Sequence, residues 1–322
     1  MKDVMIEHWR GGTMKTIKID FLKMYGGFFK HDNIITNTLN MEYNVVIDPQ
    51  DPDIVICQHF PGEPAAYFTN HLRKRCKVVH WFLESLSNIG PINTADYDYS
   101  FSSCKMDTKN NIRIPLWSLY IDWFDNQYIE NRNQAFLCSP EKLIGPREFE
   151  EKTNFCCILT NTAKQRHNRC IREKFYPYFM EYFGKRDIFV ESRGRFLQNM
   201  PSIGGNEKHK LEYIKDFKFN LCFDNGNDDG WITEKIIHPI YEGVIPIYWG
   251  CADVGDEFNI DAFIHTRDFK TPEDLCEEVL RVHNNPSVFK EIQKQPCFPE
   301  NKIPEHVKPE FLLEELKRLL EL

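Results

Sequence analysis

Long apolar runs are missing from this chain: no stretch approaches the ~18 consecutive apolar residues that a membrane-crossing helix needs. The opening MKDVMIEHWRGGTMK also lacks the apolar centre of a signal peptide. The expectation is therefore a chain with no transmembrane segment, cytoplasmic or the soluble catalytic domain of something longer. An origin in the secretory pathway, with an anchor removed, stays open. Zinc chemistry is missing too, since none of the eleven cysteines forms a Cys-x-x-Cys pair and no Cys/His cluster has zinc spacing. Their odd number, and runs such as Phe155-Cys156-Cys157-Ile158-Leu159, point to buried thiols in a reducing compartment rather than a disulfide framework. A basic excess is absent: 40 Lys and Arg against 48 Asp and Glu leave a net charge of −8, which argues against wholesale nucleic-acid binding but permits a local anion site. Neither repeats nor low-complexity tracts are found.

What is present is an ordinary globular composition, 42% hydrophobic and 27% charged, over 322 residues. That length suits two domains better than one core. Short apolar, β-branched runs recur at Ile17–Phe21, Val45–Ile47, Ile54–Cys57, Val78–Phe82, Phe155–Leu159, Ile188–Val190, Phe219–Phe223 and Val244–Trp249, each fitting a strand. Segments with helical spacing, such as Pro64–Arg75 and Arg169–Phe183, lie between them, and this alternation predicts a parallel α/β architecture. The polar stretch Ser139–Thr153 separates the two sets of strands and suggests a boundary: residues 1–145, then 146–305. Thr271 with Pro272 and Asp274 caps a helix, and Pro309–Leu322 places Leu312, Leu316, Leu319 and Leu320 on one stripe, so 306–322 is expected to dock as an amphipathic helix. Residues 1–13 precede the first strand and read as an extension outside the fold.

Phe217–Gly250 carries the chemistry, reading as strand, polar loop, helix, strand. The loop Asp224–Gly230 is rich in Asn, Asp and Gly and follows the C-terminal end of a strand, where open α/β sheets bind ligands. A helix starting near Thr233 puts Glu234 and Lys235 in its first turn, where unpaired N–H groups and the helix dipole favour an anion. Lysine can clamp a phosphate there, and glutamate can accept hydrogen bonds from sugar hydroxyls. Pro239 is expected to bend this helix. On spacing alone the plainer reading is capping chemistry and a solvated lysine.

The composite is longer than that plainer reading explains. Lys218-Phe219-Asn220-Leu221-Cys222-Phe223, Asn225, Ile232-Thr233-Glu234-Lys235 and Ile245-Pro246-Ile247 resemble the signature of the α-1,3/1,4-fucosyltransferases, family 10 of the glycosyltransferases. Thr160-Asn161 followed by Arg169 resembles the family's Ser-Asn…Arg element for the donor pyrophosphate, with Arg166 and Arg172 as alternatives. Val78–Ser85 resembles the strand ending in Glu-Ser whose glutamate is the general base, which maps to Glu84. Trp231 stands where the family has Tyr or Phe, and Leu86 where a Pro often follows.

The resemblance implies a GT-B fold, two facing Rossmann-like domains with an interdomain cleft, the first for the acceptor and the second for GDP-fucose. It implies inverting transfer of L-fucose to a hydroxyl, the 3-OH of GlcNAc or glucose, on an acceptor oligosaccharide or glycoconjugate. Glu84 is the expected base, in a partly desolvated setting. Arg169, Asn161, Asn225, Trp231, Thr233, Glu234 and Lys235 are the expected donor contacts, Trp231 by packing on a ring. No cofactor and no obligatory metal are expected. The acidic pairs Asp51-Pro-Asp53, Asp96-Tyr-Asp98 and Asp228-Asp229 read as structural. Another nucleotide sugar on the same fold, or a non-catalytic nucleotide- or glycan-binding protein, are the competing readings.

Overall fold

The β-branched and aromatic runs form two separate parallel sheets. A computed structural model describes residues 14–58, 72–89, 97–124, 137–161, 171–204 and 207–322. In the first unit β1 (Thr16–Leu22), β2 (Asn44–Ile47), β3 (Ile54–Gln58), β4 (Lys77–Phe82), β5 (Tyr99–Ser102) and β6 (Asn111–Arg113) stand in the order β2-β1-β3-β4-β5-β6. In the second, β7 (Asn154–Ile158), β8 (Val190–Ser192), β9 (Phe217–Phe223), β10 (Ile245–Trp249) and β11 (Ile264–His265) stand in the order β11-β10-β9-β7-β8. All pairings are parallel. Counted within its own sheet, each unit begins 2-1-3-4-5, the flavodoxin-type member of the doubly wound class rather than the 3-2-1 order. β8 opens at Val190 and not at Ile188, because Asp187 turns the chain in the left-handed region (φ 58°) and Phe189 is left exposed.

The described helices are α1 (Ile34–Leu39), α2 (Leu86–Ile89), α3 (Pro140–Ile144), α4 (Arg172–Gly184), α5 (Glu207–Ile214), α6 (Glu234–Tyr241), α7 (Pro272–Asn284), α8 (Pro286–Gln293) and α9 (Pro309–Leu320). Most of the helix expected over Pro64–Arg75 falls outside the described residues. Helices on both faces leave little solvent-facing strand surface, so β10 is buried at every position. Phe219, Leu221 and Phe223 of β9 pack toward Phe175 and Phe179 of α4 and Leu275 and Val279 of α7. Cys222 joins Ile236 and Ile237 of α6 in a separate core cluster. Thr271 and Asp274 form a reciprocal capping box on α7. Pro239 sits in the last turn of α6, which stops at Tyr241 instead of running on around a bend.

Two crossings tie the units together. Trp117, Ile121, Cys138 and Leu143 already pack with Ile232 and Ile236 in a core of the second unit, ahead of residue 146. At the other end α9 returns to the first sheet, seating Leu312, Leu316, Leu319 and Leu320 against Ile17, Ile19, Ile54 and Trp81. Lys77 Nζ donates to the Leu320 carbonyl at 2.5 Å, satisfying a helix C-terminal acceptor. The ten described cysteines are free, and all but Cys76 are buried; burial pushes the Cys297 thiol up to about 12, the range of an inert thiol. No described helix is long and apolar enough to cross a membrane.

Candidate active site

One half of the candidate site grows from the end of β9. Asp224 is fully buried, accepting from Thr233 Oγ1 and from Tyr248 Oη (2.8 Å). Burial pushes its carboxyl above the usual range, and Lys235 with the two hydroxyl donors only partly opposes this. Thr233 is the N-cap of α6, its Oγ1 accepting from Lys235 N (3.3 Å) and Nζ (3.2 Å). Glu234 lies between Lys210 (3.2 Å) and Lys235 (3.3 Å). Burial pushes the Glu234 carboxyl up, but the two ammonium groups outweigh it and hold the group well below the usual range. Glu234 is thus an anion whose charge is balanced before any ligand arrives. Lys235 keeps 27% of its side chain exposed at a helix N-terminus, a geometry suited to a phosphate.

The other half comes from the first sheet. Glu84 follows the C-terminal end of β4, and its Oε2 accepts from Asn225 Nδ2 at 3.1 Å. Asn225 in turn accepts from Asn88 Nδ2 through its carbonyl at 3.2 Å. A carboxylate of one unit and the 224–230 loop of the other therefore meet beyond the C-terminal ends of β4 and β9. Glu84 is exposed, not partly desolvated as expected.

The remaining residues divide. Asn161 is exposed at the end of β7 and its Oδ1 accepts from the backbone N–H of Arg195 (3.2 Å), so it shapes the 193–196 loop. Arg169 and Arg166 lie outside the described residues. Arg172 is buried, with Nε donating to the Phe223 carbonyl at 3.1 Å, so it holds the end of β9 instead of facing the cleft. Trp231 corrects the stacking expectation: it is 1% exposed, and Gly226 lies over it, with an added Cβ 3.4 Å from its Cδ1. Thr233, 2% exposed, acts through the cap and Asp224. Among the acidic pairs, Asp53 accepts from Lys18 N (2.9 Å), Asp51 pairs with Lys18, and Asp98 binds Arg73 (2.8 Å) and Val78 N (2.9 Å). Asp96 lies outside the described residues, and Asp228 accepts from Ser85 and Ser87.

Residues 149–294 match the family profile "Glycosyltransferase family 10 (fucosyltransferase) C-term". An alpha-(1,3)-fucosyltransferase of Helicobacter pylori is 35% identical over 153 residues, 44% of this chain and 30% of that enzyme. The chain resembles the family 10 fucosyltransferases. A putative fucosyltransferase of Acanthamoeba polyphaga mimivirus is 26% identical over 181 residues, covering 52% of this chain and 27% of its own length. The chain thus spans about a third or less of these relatives. A solved alpha1,3-fucosyltransferase structure with GDP-fucose superposes with a TM-score of 0.68 at 20% identity, over 98% of this chain and 94% of that one. A Rickettsia africae glycosyltransferase gives 0.52 at 11%. The architecture is GT-B.

Three residues of this family 10-like site escape a reading by motif. Asp224 lies between Phe223 and Asn225, where an Asp beside Asn-Gly reads as turn chemistry until burial and its bonds to Thr233 and Tyr248 show it to be the hub of the cap. Lys210, on α5, pairs with Glu234 across sequence distance that spacing cannot reveal. Arg195 is an exposed cation beside Asn161, unmarked by any motif.

Proposed function

We propose that the protein transfers L-fucose from GDP-fucose to an acceptor hydroxyl with inversion and without an obligatory metal. The observation that carries this reading is the Glu84–Asn225 contact, which joins a carboxylate of the first unit to the cation-bearing loop and helix of the second. In the reaction the acceptor oxygen attacks the anomeric carbon on the face opposite the departing GDP, and the bond from that carbon to the diphosphate breaks. Glu84 takes the proton of the attacking hydroxyl. Lys235, the N-terminus of α6 and Arg169 carry the charge left on GDP, so a divalent cation is not needed for departure. The names of the relatives, alpha-1,3-fucosyltransferases, support an α-1,3 linkage; the 3-OH of GlcNAc or glucose is the acceptor group this reading assigns.

Calorimetric titration with GDP, UDP and CMP in EDTA tests the donor. Selective GDP binding is expected; selective UDP or CMP binding would replace GDP-fucose with another nucleotide sugar, and a need for manganese would overturn metal independence. Lys235→Ala should weaken GDP binding by about 10- to 100-fold, the loss of one charge-assisted hydrogen bond to phosphate. Unchanged affinity would leave the lysine as a partner of Glu234 and Thr233 without a part in GDP binding.

A further inference from the structure

One carboxylate of the donor loop makes no use of its charge in the mechanism above, yet three donors of the opposite unit converge on it. Asp228 Oδ2 accepts from Ser85 Oγ and from Ser87 N (3.0 Å), and Oδ1 accepts from Ser87 Oγ. Ser85 is fully buried and is the immediate neighbour of Glu84. The approach is close on a second side: a Cβ added to Gly226 would stand 2.5 Å from Ser85 Oγ, so the donor loop's backbone lies directly on that side chain. Beyond Asp228, Lys105 N donates to the Asp229 carbonyl at 2.8 Å. Hydrogen bonds to an ionised acceptor are stronger and more directional than neutral ones.

We propose that Asp228 is a positioning residue for transfer: it latches the loop carrying Glu84 to the donor loop and so fixes the distance between the proton acceptor and the leaving group. The proposal rests on the reading of Glu84 as base. Asn225 alone does not set that distance, because both of its bonds to the first unit reach the ends of side chains, Glu84 and Asn88, whereas Asp228 grips the backbone at Ser87, on the far side of Ser85. A displacement of the order of 1 Å between reacting groups is enough to lower a rate about 10²-fold.

The test compares kcat, the KM for GDP-fucose and GDP stoichiometry by calorimetry in Asp228→Ala, Asp228→Asn and Glu84→Gln. Asp228→Ala should lose about 10²-fold in kcat, with KM and one GDP per chain retained. Asp228→Asn should recover to within about threefold of the parent, because its carbonyl accepts from Ser87 N while its amide donates to Ser87 Oγ. A parental kcat in Asp228→Ala overturns the latch. So does a loss of GDP stoichiometry in step with activity, which would make Asp228 a support of the fold, and so does an Asn variant as weak as Ala. An active Glu84→Gln enzyme overturns the base assignment beneath the proposal, and that result is separable because it needs no Asp228 variant.

Discussion

Glu84→Gln is expected to lower fucose transfer by about 10²–10⁴-fold, the usual contribution of a positioned general base, while GDP affinity stays within about twofold. Glutamine is nearly isosteric, and its Oε1 can still accept from Asn225 Nδ2, so the contact between the units survives the change. What is lost is the capacity to take a proton from the attacking hydroxyl. The bonds of Thr233 to Asp224 and of Lys235 to Thr233 hold the start of α6 without a contribution from the Glu84 charge. Transfer measured at saturating donor and acceptor, beside calorimetry with GDP, separates the two effects. Parental turnover would remove Glu84 from the mechanism, and a parallel loss of GDP binding would make it a donor contact instead.

Eight of the eleven described strands were legible because parallel sheets covered by helices turn most strands into short apolar runs; β5 (YSFS), β6 (NIR) and β11 (IH) were not, being short, lying at or next to a sheet edge and carrying Ser, Asn, Arg or His. β8 shows the limit of that signal: Ile188 and Phe189 are apolar but sit beyond the left-handed turn at Asp187, and an apolar residue outside a strand looks the same in sequence. The stripe on α9 marked it as amphipathic. Its partner could not be read, because Ile17, Ile19 and Trp81 lie near the opposite end of the chain. In the site, the cap at Thr233 and the lysine after it were legible from local spacing. Depth was not. Trp231 carries the aromatic character of a stacking residue but is packed beneath Gly226, and Asp224 and Asp228 have the composition of a turn while one is a buried hub and the other a clasp between units.

Glu257→Ala is expected to destabilise the chain by about 3–5 kcal/mol, as removal of one partner from a buried ion pair does. Glu257 is 2% exposed and accepts from Arg113 Nη1 at 2.5 Å and from Trp117 Nε1. Arg113, at the end of β6, also donates through Nη2 to the Gly230 carbonyl at 2.6 Å, so the pair joins the first sheet to the end of the donor loop. Alanine would leave a largely buried guanidinium and an indole N–H without their acceptor, which corresponds to a fall in Tm of roughly 5–10 °C. The effect also has a defined pH dependence. Burial pushes the Glu257 carboxyl up, but His306, Arg113 and Trp117 together pull it down further and leave it below its ordinary value of 4.5. A carboxyl depressed in the folded state adds stability that is complete above its unfolded value and is lost as pH falls through the folded one. The gap in Tm between parent and variant should therefore be full at neutral pH and shrink as the pH drops below 4.5. Equal Tm values at neutral pH would mean that the pair contributes no more than packing, and a gap that widened on acidification would reverse the sign assigned to Glu257.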